Sequence, residues 1–290
     1  GTDKLNVKSN IIKIGVNNFI DLCIDKNSSY IKVNGKKAEN FEYLNVVIFH
    51  PEEIDYISNY PVFRRNLIDR SIFYVNYSYI DLYRNYLRCL KQRNLSLKNK
   101  ITDSDIWKEQ LIFYGKKIIN ERIKYIKKIN SILDNESFKR INSEKYNILY
   151  SKNYTEKNIE QMLSEEFLRK KDREIQLGYT LVGPHKDDII FYLNGKPADT
   201  FASQGQKRSM IISYKTAQIL DYKAIQGHYP VLILDDMTSE LDANRKNVLL
   251  ENLLENSGQV FITSTDFRPN NFSENSKVFR VNNGEVSVAD

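Results

Sequence analysis

The 290-residue chain carries 43 Lys+Arg against 37 Asp+Glu, a formal net charge of +6, with 41% hydrophobic and 28% charged residues. That is globular composition, long enough for about two domains, and no apolar run approaches the ~18 residues of a membrane span. No basic, apolar leader opens the sequence, and Cys23 and Cys89 stand without metal-ligand spacing, so the expectation is a reducing cytoplasm and no membrane partner; the modest basic excess permits a polyanionic partner without requiring one.

Ile11–Ile14, Phe19–Ile24 and Tyr30–Val33 read as short strands, with turn chemistry at Asn17-Asn18 and Asn34-Gly35. A further strand, Leu44–Phe49, ends at His50-Pro51. Beyond it Pro51 and Pro61 each suit the first turn of a helix, and Tyr77–Leu97 and Asp105–Leu133 read as two long helices. In the second, Leu111, Ile118, Tyr125 and Ile132 form one column and Ile112, Ile119, Ile126 and Leu133 another. Two adjacent columns make a wide apolar face, which suits core packing better than a two-stranded coiled coil. Tyr146–Tyr150 is a candidate strand. Thr155–Lys171 reads as a helix with Thr155 as N-cap and Asn158 too weak to complete a capping box. Asp188–Leu193 runs into a second hairpin turn at Asn194-Gly195. A helix from Gly205 to about Ile225, a strand, a helix Ala243–Glu255, the strand Gln259–Thr263, and two last strands around Asn282-Asn283-Gly284 complete the chain.

The chemistry concentrates in the last third. Val231-Leu232-Ile233-Leu234, preceded by Pro230 and followed by Asp235-Asp236, reads as a fully buried parallel strand, and the C-terminal edge of such a sheet is where ligands bind. Carboxylates beside a phosphate site hold Mg²⁺ or orient a water, so the pair resembles a Walker B acid pair. Thirty residues earlier, Ser203-Gln204-Gly205-Gln206 opens a helix; its free N–H groups and dipole make an anion site, although an ordinary N-terminal cap has the same spelling. SQGQ, the acidic strand, Ser239-Glu240-Leu241-Asp242 and Thr263-Ser264-Thr265-Asp266 follow the order signature, Walker B, D-loop and switch loop of ABC-type ATPases.

The spelling narrows the resemblance. Leu181 to Asp188 (LVGPHKDD), Ala202 to Arg208, Leu234 to Asp242 and Phe261 to Asp266 are similar to the RecF family of bacterial DNA replication and repair proteins. So are Val46 to Glu53, Arg64-Arg65…Asp69 and Tyr86-Leu87-Arg88…Lys91-Gln92-Arg93-Asn94. The resemblance implies an α/β fold: an ABC-type (P-loop NTPase-like) ATPase lobe, β-rich over 1–50, with an inserted α-helical subdomain over 51–172 and the C-terminal half of the lobe over 173–290. It also implies an ATP-dependent homodimer in which Ser203, Gln204, Gly205 and Gln206 reach the γ-phosphate held by the other protomer. Asp235 would help hold Mg²⁺, Asp236 would stand at the general-base position, and Ser239 and Asp242 would form the D-loop. Thr265 stands at the switch position where many relatives have histidine, so slow, switch-like hydrolysis is expected. The implied partners are gapped duplex DNA, RecO, RecR and the recombinase RecA.

No GxxxxGK[ST] loop occurs in the sequence: Gly35-Lys36, Gly115-Lys116 and Gly195-Lys196 lack both the hydroxyl residue and the earlier glycine. The expectation is therefore a fragment that does not hydrolyse ATP alone. Arg64, Arg65, Arg88, Lys91 and Arg93 are the leading DNA-contact candidates, with Lys116, Lys117, Lys127 and Lys128 behind them; for each the competing reading is a solvated helix face. His185-Lys186-Asp187-Asp188 is read as a hydrogen-bonded loop at the lobe junction in preference to a metal site. Alternatives are a transporter's nucleotide-binding subunit, which needs an LSGGQ-like signature and a switch histidine; a long-armed cohesin-like protein, which needs far more heptads; and a non-catalytic DNA- or partner-binding module.

Overall fold

The computed structural model describes residues 4–13, 15–25, 29–38, 45–100, 105–135, 144–235, 258–264 and 276–288. β1 (Lys4–Lys13), β2 (Val16–Asp25), β3 (Ser29–Val33) and β4 (Lys36–Lys37) form an antiparallel sheet in that order. The turn between β1 and β2 lies at Gly15, where φ is +75°, and not at Asn17-Asn18 as expected. Both asparagines belong to β2, and the Asn18 carboxamide oxygen accepts a hydrogen bond from Asn34 Nδ2 (3.2 Å) across the sheet. Asn34-Gly35, Asn194-Gly195 and Asn283-Gly284 all have φ > 0 at both residues, the geometry that two-residue hairpin loops require.

β5 (Val46–Phe49), β9 (Val231–Asp235) and β10 (Val260–Thr263) make a parallel sheet in the order β10-β9-β5. Val47, Phe49, Leu232 and Leu234 are buried on one face against Ile219. The other face keeps Ile48 and Phe261 exposed, so β9 alternates and is not the fully buried run its apolar composition suggested. A second antiparallel sheet, β6-β7-β8, joins β6 (Tyr146–Tyr150) to β7 (Ile189–Leu193) and β8 (Lys196–Pro197), and β11 (Phe279–Asn282) pairs with β12 (Glu285–Val288).

Between these sheets stand α1 (Ile54–Ser58), α2 (Pro61–Val75), α3 (Ser78–Lys98), α4 (Asp105–Leu133), α5 (Ile159–Leu177), α6 (Ala198–Phe201) and α7 (Gln204–Gln226). Pro61 occupies the first turn of α2, where its missing N–H costs nothing. α5 starts four residues later than Thr155 and runs on to a left-handed Gly178 (φ 73°). Asn158 reaches back after all, its Oδ1 accepting from Thr155 N at 2.6 Å, and the turn it closes delays the helix. The wide face of α4 is buried as its columns require: Leu111, Ile118, Ile119, Tyr125, Ile126 and Ile129 pack in one core with residues of α2, α3, α5, α7, β6 and β7. β6, from the segment 51–172, pairs with β7, from the segment 173–290, so the helical segment shares both sheet and core with the C-terminal half.

Candidate functional site

α7 organises the site. Ser203 caps it with extended backbone (φ −65°, ψ 163°); its Oγ accepts from Gln206 N and its own N–H donates to Gln206 Oε1, a complete S-x-x-Q capping box. Gln206 Nε2 in turn donates to Glu144 Oε1 at 2.8 Å, which fixes the turn from outside the helix. Ser203, Gln204 and Gly205 are exposed. The cap and anion readings of SQGQ are thus compatible. The box satisfies Ser203 and Gln206, while the N–H groups of Gln204 and Gly205, at the first two helical positions, have no acceptor within the helix and lie at its positive end.

Asp235 closes β9 at the C-terminal edge of the parallel sheet, its side chain 45% exposed. Its Oδ1 accepts from Thr263 Oγ1 (2.6 Å) on β10, and His50 Nε2, just past β5, lies 3.6 Å from Oδ2. His50 Nδ1 accepts the Glu52 N–H, so the ring N–H sits on Nε2 and faces the carboxylate. Each strand beside β9 therefore supplies a neighbour to Asp235. One exposed carboxylate with lone pairs to spare suits a hydrated divalent cation that takes its other ligands from a phosphate, and among the described residues no group of three or more ligating side chains competes for the metal. Asp236, Ser239, Asp242 and Thr265 lie outside the described residues.

The direction of α7 fixes how these parts relate. Asn45, just before β5, donates to Tyr222 Oη, whereas Lys215 Nζ donates to Ile48 O near the end of that strand, so α7 runs antiparallel to the sheet. From Lys215 the helix continues past the sheet's C-terminal edge to Ser203, twelve residues and about 18 Å further at 1.5 Å per residue. The SQGQ turn and Asp235 point toward the same end of the molecule, yet a helix segment separates them. Lys215 also pairs with Glu53 (2.8 Å), both buried, tying α7 to the turn that carries His50.

The basic candidates separate by burial. Arg64 is buried, bidentate on Asp188 (2.9 and 2.8 Å), and bonds the carbonyls of Ile57 and Asn59. Arg93 is buried between Glu174 (2.7 Å), Thr180 (2.9 Å) and the Phe167 ring. Both are corrections to the DNA assignment: their guanidinium groups are spent inside the fold. Arg65 is half-buried and donates to Asp187 O (2.7 Å), burial pulling its pKa down. Arg88 and Lys91 are exposed on α3. Lys116 pairs with Glu160 and Lys128 with Asp221.

The loop Gly183–Asp188 is a hydrogen-bonded junction. Arg122, fully buried, holds Asp69 bidentately and donates to Pro184 O. Asp187 takes Lys152 and Tyr150, and Asp188 takes Arg64. His185 Nε2 faces Thr180 O, which can only accept, so Nδ1 accepts from Tyr86 Oη; burial then holds the imidazole neutral, its pKa lowered to about 4. Arg122 and His50 carried no sequence signal of these roles, because each depends on a partner more than fifty residues away. The capping box was legible in the Ser203–Gln206 spacing.

With this geometry in view, the relatives are informative. The DNA replication and repair protein RecF of Geotalea uraniireducens (strain Rf4) is 37% identical across 99% of this chain and 82% of its own length. The chain belongs to the RecF family. RecF of Clostridium perfringens (strain 13 / Type A) is 35% identical across 98% of the chain and 81% of its own length. A solved structure described as the recombination mediator protein RecF-ATP in the RecFOR pathway covers all of this chain and 81% of its own, with a TM-score of 0.87 at 27% identity. An Smc head bound to the C-terminal winged-helix domain of ScpA, at TM-score 0.51 and 12% identity, shares the fold alone. No family model matches the sequence. The RecF fold is thus an ABC-type ATPase head, and among the described residues no helix is long and apolar enough to cross a membrane.

Proposed function

We propose that this RecF protein works in DNA replication and recombinational repair as an ATP-dependent homodimer that clamps gapped duplex DNA and, with RecO and RecR, assists loading of RecA in the cytoplasm. The carrying observation is the placement of SQGQ: exposed at the N-terminus of α7, beyond the sheet edge that bears Asp235 and about a helix segment away from it. Parts so spaced suit one triphosphate only when contributed by two molecules. The N–H groups of Gln204 and Gly205 and the Ser203 hydroxyl would then face the γ-phosphate of the opposite protomer, and Asp235 would help hold a hydrated Mg²⁺. Asp236 is assigned the base, Ser239 and Asp242 the D-loop and Thr265 the switch. Mg²⁺ would supply charge neutralisation of the phosphates; holding the acceptors in place falls to Thr263 and His50.

A strand–GxxxxGK[ST]–helix unit is needed to cradle the phosphates, and the 290 residues contain none, so calorimetry on them alone should register no tight ATP binding. Joined to such a unit, the protein should sediment as a dimer with ATP and as a monomer without it, and Ser203→Arg should abolish the dimer. A monomer at saturating ATP, or a dimer indifferent to Ser203→Arg, refutes the composite site. Of the basic candidates, Arg65 and Arg88 are the assigned phosphate contacts on the DNA side, Arg88 being the exposed one, whereas Lys91 lies among leucines on the next strip of α3.

A further inference from the structure

One strip of α3, Leu87, Lys91 and Leu95, faces away from the core, with the half-buried Leu90 at its border. Tyr86, Cys89, Arg93 and Leu97 point inward, whereas Leu87, Leu90, Lys91, Asn94, Leu95 and Lys98 line an open groove of about 390 Å³ whose far wall is Gly178. Leu87 and Leu95 are 43% and 45% exposed, two turns apart on the same strip, with Lys91 between them. The groove is built and not a frayed edge. Asn94 Oδ1 accepts from both Thr180 N and Thr180 Oγ1, fixing the floor. Gly178 ends α5 in the left-handed region, and a Cβ there would sit 3.6 Å from Lys98 Cα, so the wall stays low beside the helix.

The charge on this face has one sign. Lys91 and Lys98 line the groove, Arg88 flanks it, no acidic side chain lines it, and none of the three cations has an ion-pair partner among the described residues. Leucines spaced by two helical turns between unpaired cations fit an amphipathic helix that lays its own apolar residues on the strip and sets carboxylates over the cations. Phosphate backbones need the cations but gain nothing from the leucines.

We infer that the α3 groove docks an acidic amphipathic helix from a partner protein. This does not rest on the ATP-dependent clamp and survives if that reading fails. A fluorescent synthetic helical peptide, leucine along one face and glutamate on its flanks, should bind the protein at low salt with an affinity that falls as salt rises. Leu95→Ser should weaken it at least tenfold, and Lys91→Glu with Lys98→Glu should abolish binding. Arg84→Glu, on the same helix outside the groove, should leave it within about twofold. All four positions are exposed, and circular dichroism verifies that the variants fold. No binding up to millimolar peptide, or binding indifferent to Leu95→Ser, overturns the inference. So does displacement of the peptide by duplex DNA whose affinity depends on Lys91 but not on Leu95, which would make the face a phosphate track.

Discussion

At the residue scale the most consequential side chain outside the nucleotide edge is His185. Its two ring nitrogens are committed to Thr180 O and Tyr86 Oη, and burial lowers its pKa from 6.5 to about 4. An unfolded chain therefore binds a proton at this residue between pH 6.5 and 4 that the folded chain does not. The sign follows: the stability due to neutral His185 is fully present above pH 6.5 and is lost as pH falls toward 4, by up to about 3 kcal/mol at 1.36 kcal/mol per unit. Carboxylates also titrate near the lower end, so the informative quantity is a difference. Urea unfolding of wild type and His185→Gln at pH 7.5 and 5 should give a wild-type loss about 2 kcal/mol larger than the variant's. Equal losses would mean that the imidazole is charged in the folded state. The adjoining Gly183 explains the tight setting, since at φ +123° any Cβ would lie 2.3 Å from Tyr86 Oη.

Among the elements, the sequence was most legible where one helix or hairpin carries its own information. α4 has the bounds its apolar columns announce, and the three Asn-Gly turns need only their two residues. It was least legible where a residue's role depends on a distant chain segment. Asn17-Asn18 has turn composition, yet the turn formed at Gly15 because pairing Asn18 with Asn34 across the sheet outweighs local preference. Arg64 and Arg93 have the spelling of exposed helix cations, and only their burial against Asp188 and Glu174 reveals them as structural. For the site, SQGQ and Asp235 were readable from order and spacing, whereas His50 and Thr263 are neighbours of Asp235 only through strand order β10-β9-β5. The Arg93–Glu174 pair gives the test. Arg93→Met strands a buried carboxylate and should cost about 3–5 kcal/mol in urea unfolding, with Arg93→Met/Glu174→Gln recovering part of it because the amide oxygen can still accept from Leu181 N. Under conditions where both fold, affinity for gapped duplex should be unchanged by Arg93→Met but reduced by Arg88→Glu, which should also lower the salt slope by about 1. A DNA defect in the first without one in the second would reverse the assignment.

On the scale of the whole molecule, α7 belongs to both cores. Met210, Ile211, Tyr214 and Ala217 pack with the helical segment, and Ile219 packs with β5 and β9. Tyr214 Oη meets Ser71 Oγ of α2 at 2.7 Å, and Lys215 meets Glu53. The helix whose N-terminus presents SQGQ is thus wedged between the nucleotide-edge sheet and the helical segment, so force applied at Ser203 is resisted by both. The sequence places residues 51–172 as an insert, and the core and sheet it shares with the C-terminal half predict that it does not unfold by itself. Leu111→Ala, deep in α4 and 1% exposed, should cost about 2–5 kcal/mol. If the cores are one cooperative unit, hydrogen exchange of the slowest α7 amides should accelerate as much as that of the α4 amides, since both would open only through global unfolding. If instead α4 exchange accelerates while α7 keeps its wild-type protection, the helical segment opens as an independent unit, and coupling between the signature turn and the helical face would need a route other than this core.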